Sequence, residues 1–229
     1  MNTGRRIAWA MMLWLGCLGS LRGAEQWVDE LARMPLVHPV QELNRSNCVQ
    51  TVLESICSNG VVKAVIFMPG ATDELYFFRR AKAQLSGSAP TVLDAVQALT
   101  NQTLIRATFK APFLLFHVAG DALEANISVK NQTRWEKLCR IPFQEHAYFD
   151  DRDWDWVQPL LRDRIGVELR PWRYTRASWH FYRHSYAGWN LNCREAIQAT
   201  CLSGGTRATI NRGSVLFEGP PRGSQAEGK

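Results

Sequence analysis

Asp151, Asp153 and Asp155 stand at alternate positions, the spacing with which a calcium loop begins. Such a loop also needs a glycine at its turn and a closing glutamate. Here Trp156 and Arg162 occupy those places. The acidic run from Asp150 to Asp155 therefore reads as carboxylates gathered at a helix N-terminus, where they complement the helix dipole.

Imidazoles are the next groups able to do chemistry. His180 and His184 lie with Arg183 among the aromatics of residues 174–186. On a helix they would share a face, but the aromatic composition favours a strand. His117 sits in a run of Phe and Leu and reads as a satisfied, partly buried residue, while His38 and His146 have no readable context. Asp73, Glu74 and Asp121 are acids with nothing in the sequence to pair them. No nucleophile elbow, Walker loop, GxGxxG fingerprint or serine–lysine motif is present. The sequence assigns no catalytic residue, no cofactor site and no metal site. A zinc site would need closely spaced Cys or His ligands, and there is no CxxC.

The elements that carry these residues are set by an internal repeat. Residues 94–116 align without a gap onto 195–217. Ala95/Ala196, Gln97/Gln198, Arg106/Arg207, Ala107/Ala208, Thr108/Thr209 and Phe116/Phe217 are among the identical pairs. Thr91 with Asp94 and Asn192 with Glu195 form a capping box at matching positions. Each helix leads to two strands, expected at 103–109 and 112–118, then at 206–211 and 214–218. Upstream, a helix ending near Cys57, a strand at 61–67 and a strand at 75–78 complete the first copy. A helix around 156–161, a strand at 165–169 and its partner at 179–182 complete the second. Where the second copy has His180 and His184, the first has Tyr76 and Arg80, so the repeated unit does not itself require imidazole.

The expected fold class is α+β, with two helix-strand-strand-helix-strand-strand modules and small mixed sheets. Module A spans 46–118 and module B spans 153–218. Residues 25–45 form an N-terminal helix and loop, and 119–152 a connecting segment with a strand at 127–129 and a helix around 135–139. That segment is too apolar for a free linker. The Gly- and Pro-rich end, 219–229, reads as a disordered tail.

Residues 1–24 read as a signal peptide, with Arg5 and Arg6 before an apolar stretch at 7–21 and small residues at Gly23 and Ala24. The stretch is shorter than the roughly 20 residues that span a bilayer, so no stable transmembrane segment is expected after cleavage. A lipoprotein signal would use Cys17, but Trp14 stands where such signals carry Leu. Cleavage after Ala24 removes three arginines and leaves 24 basic against 21 acidic residues. That modest excess, without a clustered basic face, makes nucleic acid a poor partner. The chain is expected to be exported, to the periplasm or beyond.

Cys48, Cys57, Cys139, Cys193 and Cys201 remain after cleavage. Cys193 and Cys201 share one helix roughly 12 Å apart, and Cys48 and Cys57 point to opposite faces of another. A disulfide would therefore join different elements, and an odd count leaves at least one thiol over. Asn44, Asn101, Asn126 and Asn131 begin glycosylation sequons, which matter only in a host with an endoplasmic reticulum.

The stretch 192–210, followed by Gly213-Ser-Val-Leu-Phe217, resembles the short domain at the N-termini of secretins and TonB-dependent receptors. It shares the capped helix with an acid-Ala-hydrophobe core, the Gly/Thr turn and the two closing strands. Residues 91–118 are similar but lack the glycine at the helix end. The resemblance implies two tandem degenerate copies that dock a partner in the bacterial envelope without an active site. The partner would be an envelope protein or a second copy of the chain. The competing expectation is a small-ligand binder or hydrolase, its site between the modules and lined by residues 174–186 and 150–155.

Overall fold

A computed structural model describes residues 27–36, 42–43, 55–56, 62–78, 83–85, 87–152, 154–165, 169–171 and 184–218. Residues 27–33 are helical, as the spacing of Trp27 and Leu31 predicts. The elements that follow are β1 (Glu42–Leu43), β2 (Ala64–Phe67), α1 (Pro69–Phe78), β3 (Ala83–Gln84), α2 (Val92–Gln102), β4 (Arg106–Lys110), β5 (Phe113–His117) and β6 (Asn126–Val129). Then come α3 (Gln132–Leu138), β7 (Pro142–Arg152), α4 (Trp154–Ile165), β8 (Leu169–Pro171), β9 (His184–Asn192), α5 (Cys193–Gly204), β10 (Arg207–Ile210) and β11 (Val215–Glu218). Helices with small mixed sheets make this an α+β protein.

One sheet has the order β4-β5-β2-β9-β7, with β2 parallel to β5 and the other pairs antiparallel. A second has the order β6-β10-β11-β8, with β6 and β8 parallel to their neighbours. β1 and β3 form a small pair. Two hydrophobic cores follow from the first sheet. On one side Val65, Phe67, Leu114 and Phe116 meet Val92, Ala95, Val96 and Leu99 of α2. On the other Ala64, Ile66, Leu115, Phe149 and Tyr186 meet α4, α5 and the second sheet. β2 is thus buried on both faces, which is why it reads as an unbroken apolar run rather than an alternation.

α5 lies within that second core and is buried almost all round, from Cys193 to Gly204. Its many small residues, Ala196, Ala199, Ser203 and Gly204, suit a helix buried on most of its circumference. Both capping boxes form: Asp94 N bonds Thr91 Oγ1 at 3.2 Å, and Glu195 N bonds Asn192 Oδ1 at 2.9 Å. Gly205, at φ 60°, ends α5 in the left-handed conformation glycine adopts without a steric cost.

The two hairpins that follow these helices share a register. Arg106↔His117 and Phe109↔Leu114 in one correspond to Arg207↔Glu218 and Ile210↔Val215 in the other. Beside each hairpin lies a parallel strand, β2 on β5 and β8 on β11.

Several local expectations are corrected. Residues 75–78 lie in α1, not in a strand. Pro69 starts that helix, where its missing N–H costs nothing, and Thr72 N already bonds Met68 O at 2.9 Å. The aromatic strand propensity of Tyr76 to Phe78 is overridden by this start. Ile165 closes α4, and the strand expected at 165–169 occupies 169–171. The connecting segment supplies β6, α3 and also β7, a long strand not foreseen. β2 pairs with β9, so one sheet draws strands from 46–118, 119–152 and 153–218 alike. The expected helix before Cys57 is described only at 55–56, which are helical, and the strand at 179–182 lies outside the described residues.

Candidate functional site

His184 begins β9 and is fully buried. Its Nδ1 lies 3.1 Å from Ser203 Oγ on α5, a serine–histidine contact that resembles half of a catalytic triad. The surroundings remove that chemistry. Ser203 is also fully buried, and its hydroxyl donates to the Thr200 carbonyl at 3.3 Å. Gly204 packs so closely on the imidazole that an added Cβ would come within 2.3 Å of His184 Cε1. Burial pulls the His184 pKa down to about 4, opposed in part by a hydrogen bond to the Thr200 backbone. The ring is therefore neutral at pH 7 and closely packed.

The same helix face continues to Tyr186. Its hydroxyl lies 3.3 Å from Thr200 Oγ1, which itself donates to the Ala196 carbonyl at 2.8 Å. Burial raises the Tyr186 pKa. His184, Ser203, Thr200 and Tyr186 form a polar row inside an apolar core, and such a row fixes the docking of α5 on β9.

His117, Asp121 and Glu74 make hydrogen bonds within the chain. His117 places Nε2 2.9 Å from Thr108 Oγ1 and Nδ1 3.3 Å from the Val118 carbonyl. Asp121 accepts from Val118 N at 2.9 Å and from Gly70 N at 3.3 Å, so its carboxylate sits at the start of α1. Glu74 accepts from Leu104 N at 3.2 Å. His146 is exposed on β7, its ring edge-on to Trp189 at 3.7 Å. His38, His180 and Asp153 lie outside the described residues. Asp151 and Asp155 fall at the end of β7 and the start of α4.

Among the thiols, Cys193 and Cys201 are buried and Cys139 is exposed. Burial raises Cys193 to about 11 and Cys201 to about 12. Both remain protonated at neutral pH and behave as small apolar side chains.

Two surface grooves lie at the N-terminal end of α5. One groove of about 560 Å³ is bordered by Lys110, Phe113, Leu123, Arg194, Glu195 and Gln198. A second of about 520 Å³ adjoins it through Cys139 and Asn192 and adds Lys63, Arg140 and Glu145. Two of the bordering cations are paired: Lys63 Nζ meets Glu195 Oε1 at 2.8 Å, and Lys110 Nζ meets Glu124 at 3.4 Å. Arg194 stacks over Trp135, 4.8 Å from the ring centre. Sequence reasoning missed this region because Lys63 and Glu195 are far apart in the chain. The one local signal was the Glu195 capping position.

Among the described residues no helix is long and apolar enough to cross a membrane. Comparison with known protein families, curated proteins and solved structures finds no match to this chain.

Proposed function

We propose that this chain is an exported, non-catalytic protein-binding or scaffold module of the bacterial cell envelope. The observation that carries the reading is where the reactive side chains sit. His184, Ser203, Tyr186, Cys193 and Cys201 are spent inside the core between β9 and α5, while among the described residues β4 and β7 end the five-stranded sheet. Strand edges with unused backbone groups are natural docking elements. The export signal at 1–24 and the resemblance of 192–217 to the short domain of secretins and TonB-dependent receptors supply the compartment.

A second reading is a small-ligand binder, favoured by the adjoining grooves around Asn192 and Cys139. Lys63, Arg140 and Arg194 beside Glu195 would suit a small polar ligand. Of the lining expected at 174–186, His184 faces the core, and residues 174–183 lie outside the described residues.

Crosslinking and pull-down of tagged protein from a bacterial envelope separates the two. A reproducible protein partner, lost when a strand edge is mutated, supports docking. A monomer without a partner that binds a small polar compound, with Lys63→Met abolishing binding, overturns it. N-terminal sequencing of the mature chain checks export, with cleavage near Ala24 expected.

A further inference from the structure

β4 and β10 carry nearly the same strand. Arg106-Ala107-Thr108-Phe109 pairs with β5 in the register in which Arg207-Ala208-Thr209-Ile210 pairs with β11. On its other side β10 holds a parallel neighbour, β6, with Arg207↔Asn126, Ala208↔Ile127, Thr209↔Ser128 and Ile210↔Val129. Among the described residues β4 pairs with β5 alone. The molecule thus shows on one copy of the strand how the other copy's edge can be filled.

We propose that β4 is a docking edge that takes an extended segment of a protein partner, added parallel to Arg106–Lys110 as β6 is added to β10. This rests on the protein-binding reading above and deepens it. Main-chain hydrogen bonds to an open edge supply the affinity, and alternate side chains set the selectivity. Ala107 and Phe109 are half-buried and pack on the α2 side of the sheet, where the Trp27 and Phe109 ring centres lie 6.0 Å apart. Partner residues opposite them must be apolar, as Ile127 and Val129 are opposite Ala208 and Ile210. Arg106 is exposed at the start of the strand, while Lys110 at its end already meets Glu124 at 3.4 Å. The docking segment therefore carries a carboxylate at its N-terminal flank, which answers Arg106.

The test uses the full chain and a synthetic peptide of its own residues 122–131, which holds β6 and the flanking Glu124. Backbone amide shifts of the isotope-labelled protein are followed as peptide is added. Saturable shifts at 106–110, absent with a Ser128→Pro peptide, are expected. Arg106→Glu in the protein weakens that binding about threefold, the range of an exposed ion pair. Absence of shifts at 106–110 at saturating peptide, or shifts confined to 207–218 by exchange with the resident strand, overturns the proposal. If the peptide fails while an envelope partner is still captured, the β4 edge falls and the protein-binding reading stands. If the peptide binds and no envelope partner is captured, the edge stands and the envelope reading falls.

Discussion

Lys63 Nζ lies 2.8 Å from Glu195 Oε1, tying the residue before β2 to the acid that caps α5. Glu195 also accepts from the Asn192 backbone N–H at 2.9 Å, so one carboxylate closes a capping box and an ion pair. Glu195→Ala is expected to cost about 1–2 kcal/mol, mostly through the lost cap. Lys63→Met should cost under about 1 kcal/mol, because Lys63 is more than a third exposed and its ion pair is screened. Urea unfolding of both variants checks the order, and an equal cost for the two would refute it.

Ile197 is fully buried at the centre of α5 between the sheets. Ile197→Asp places an unpaired carboxylate there and should cost more than about 4 kcal/mol, enough to prevent folding. A wild-type melting temperature in that variant would contradict the described core.

Gly204 sits against the His184 ring, with no room for a Cβ. Gly204→Ala is expected to destabilise by about 1–3 kcal/mol through overpacking, although alanine favours helix more than glycine does. Combining it with His184→Ala should recover part of that loss. Additive costs in a double-mutant cycle would show that the two residues do not meet.

His184 has a folded pKa near 4 against 6.5 for an ordinary histidine. The unfolded chain therefore binds a proton that the folded one excludes between those values. This contribution is present above pH 6.5 and is lost as pH falls toward 4, a change of about 3 kcal/mol. Below pH 4 it falls no further. Denaturant titrations across this window should show a steeper pH slope in the wild type than in His184→Asn. Parallel slopes would count against burial of a neutral imidazole.

Cys193 and Cys201 should resist alkylation in the native state at neutral pH, since both are buried with raised pKa values. The exposed Cys139 should label readily. Peptide mapping of the alkylated native protein tells them apart, and early labelling of Cys201 would mean that α5 opens locally.

Local chemistry alone made much of this protein legible. The capping boxes at Thr91 and Asn192, the strands after each helix and the helical spacing around Trp156 are short-range signals. They fix φ and ψ within a few residues of themselves, and the structure keeps them. The common register of the two hairpins follows from the same local pattern, since a shift of one residue would turn Ala208 and Phe217 to the wrong face.

Long-range pairing was not legible. Residues 75–78 have strand-like composition, yet the helix begun at Pro69 absorbs them. β7 alternates weakly, because one of its faces carries His146 and an exposed Tyr148. Only its pairing with β9 makes it a strand. The meeting of Lys63 with Glu195 and of His184 with Ser203 depends on α5 lying between two sheets. Burial then decides the chemistry: the His184 imidazole, desolvated and packed on Gly204, is a neutral part of the core.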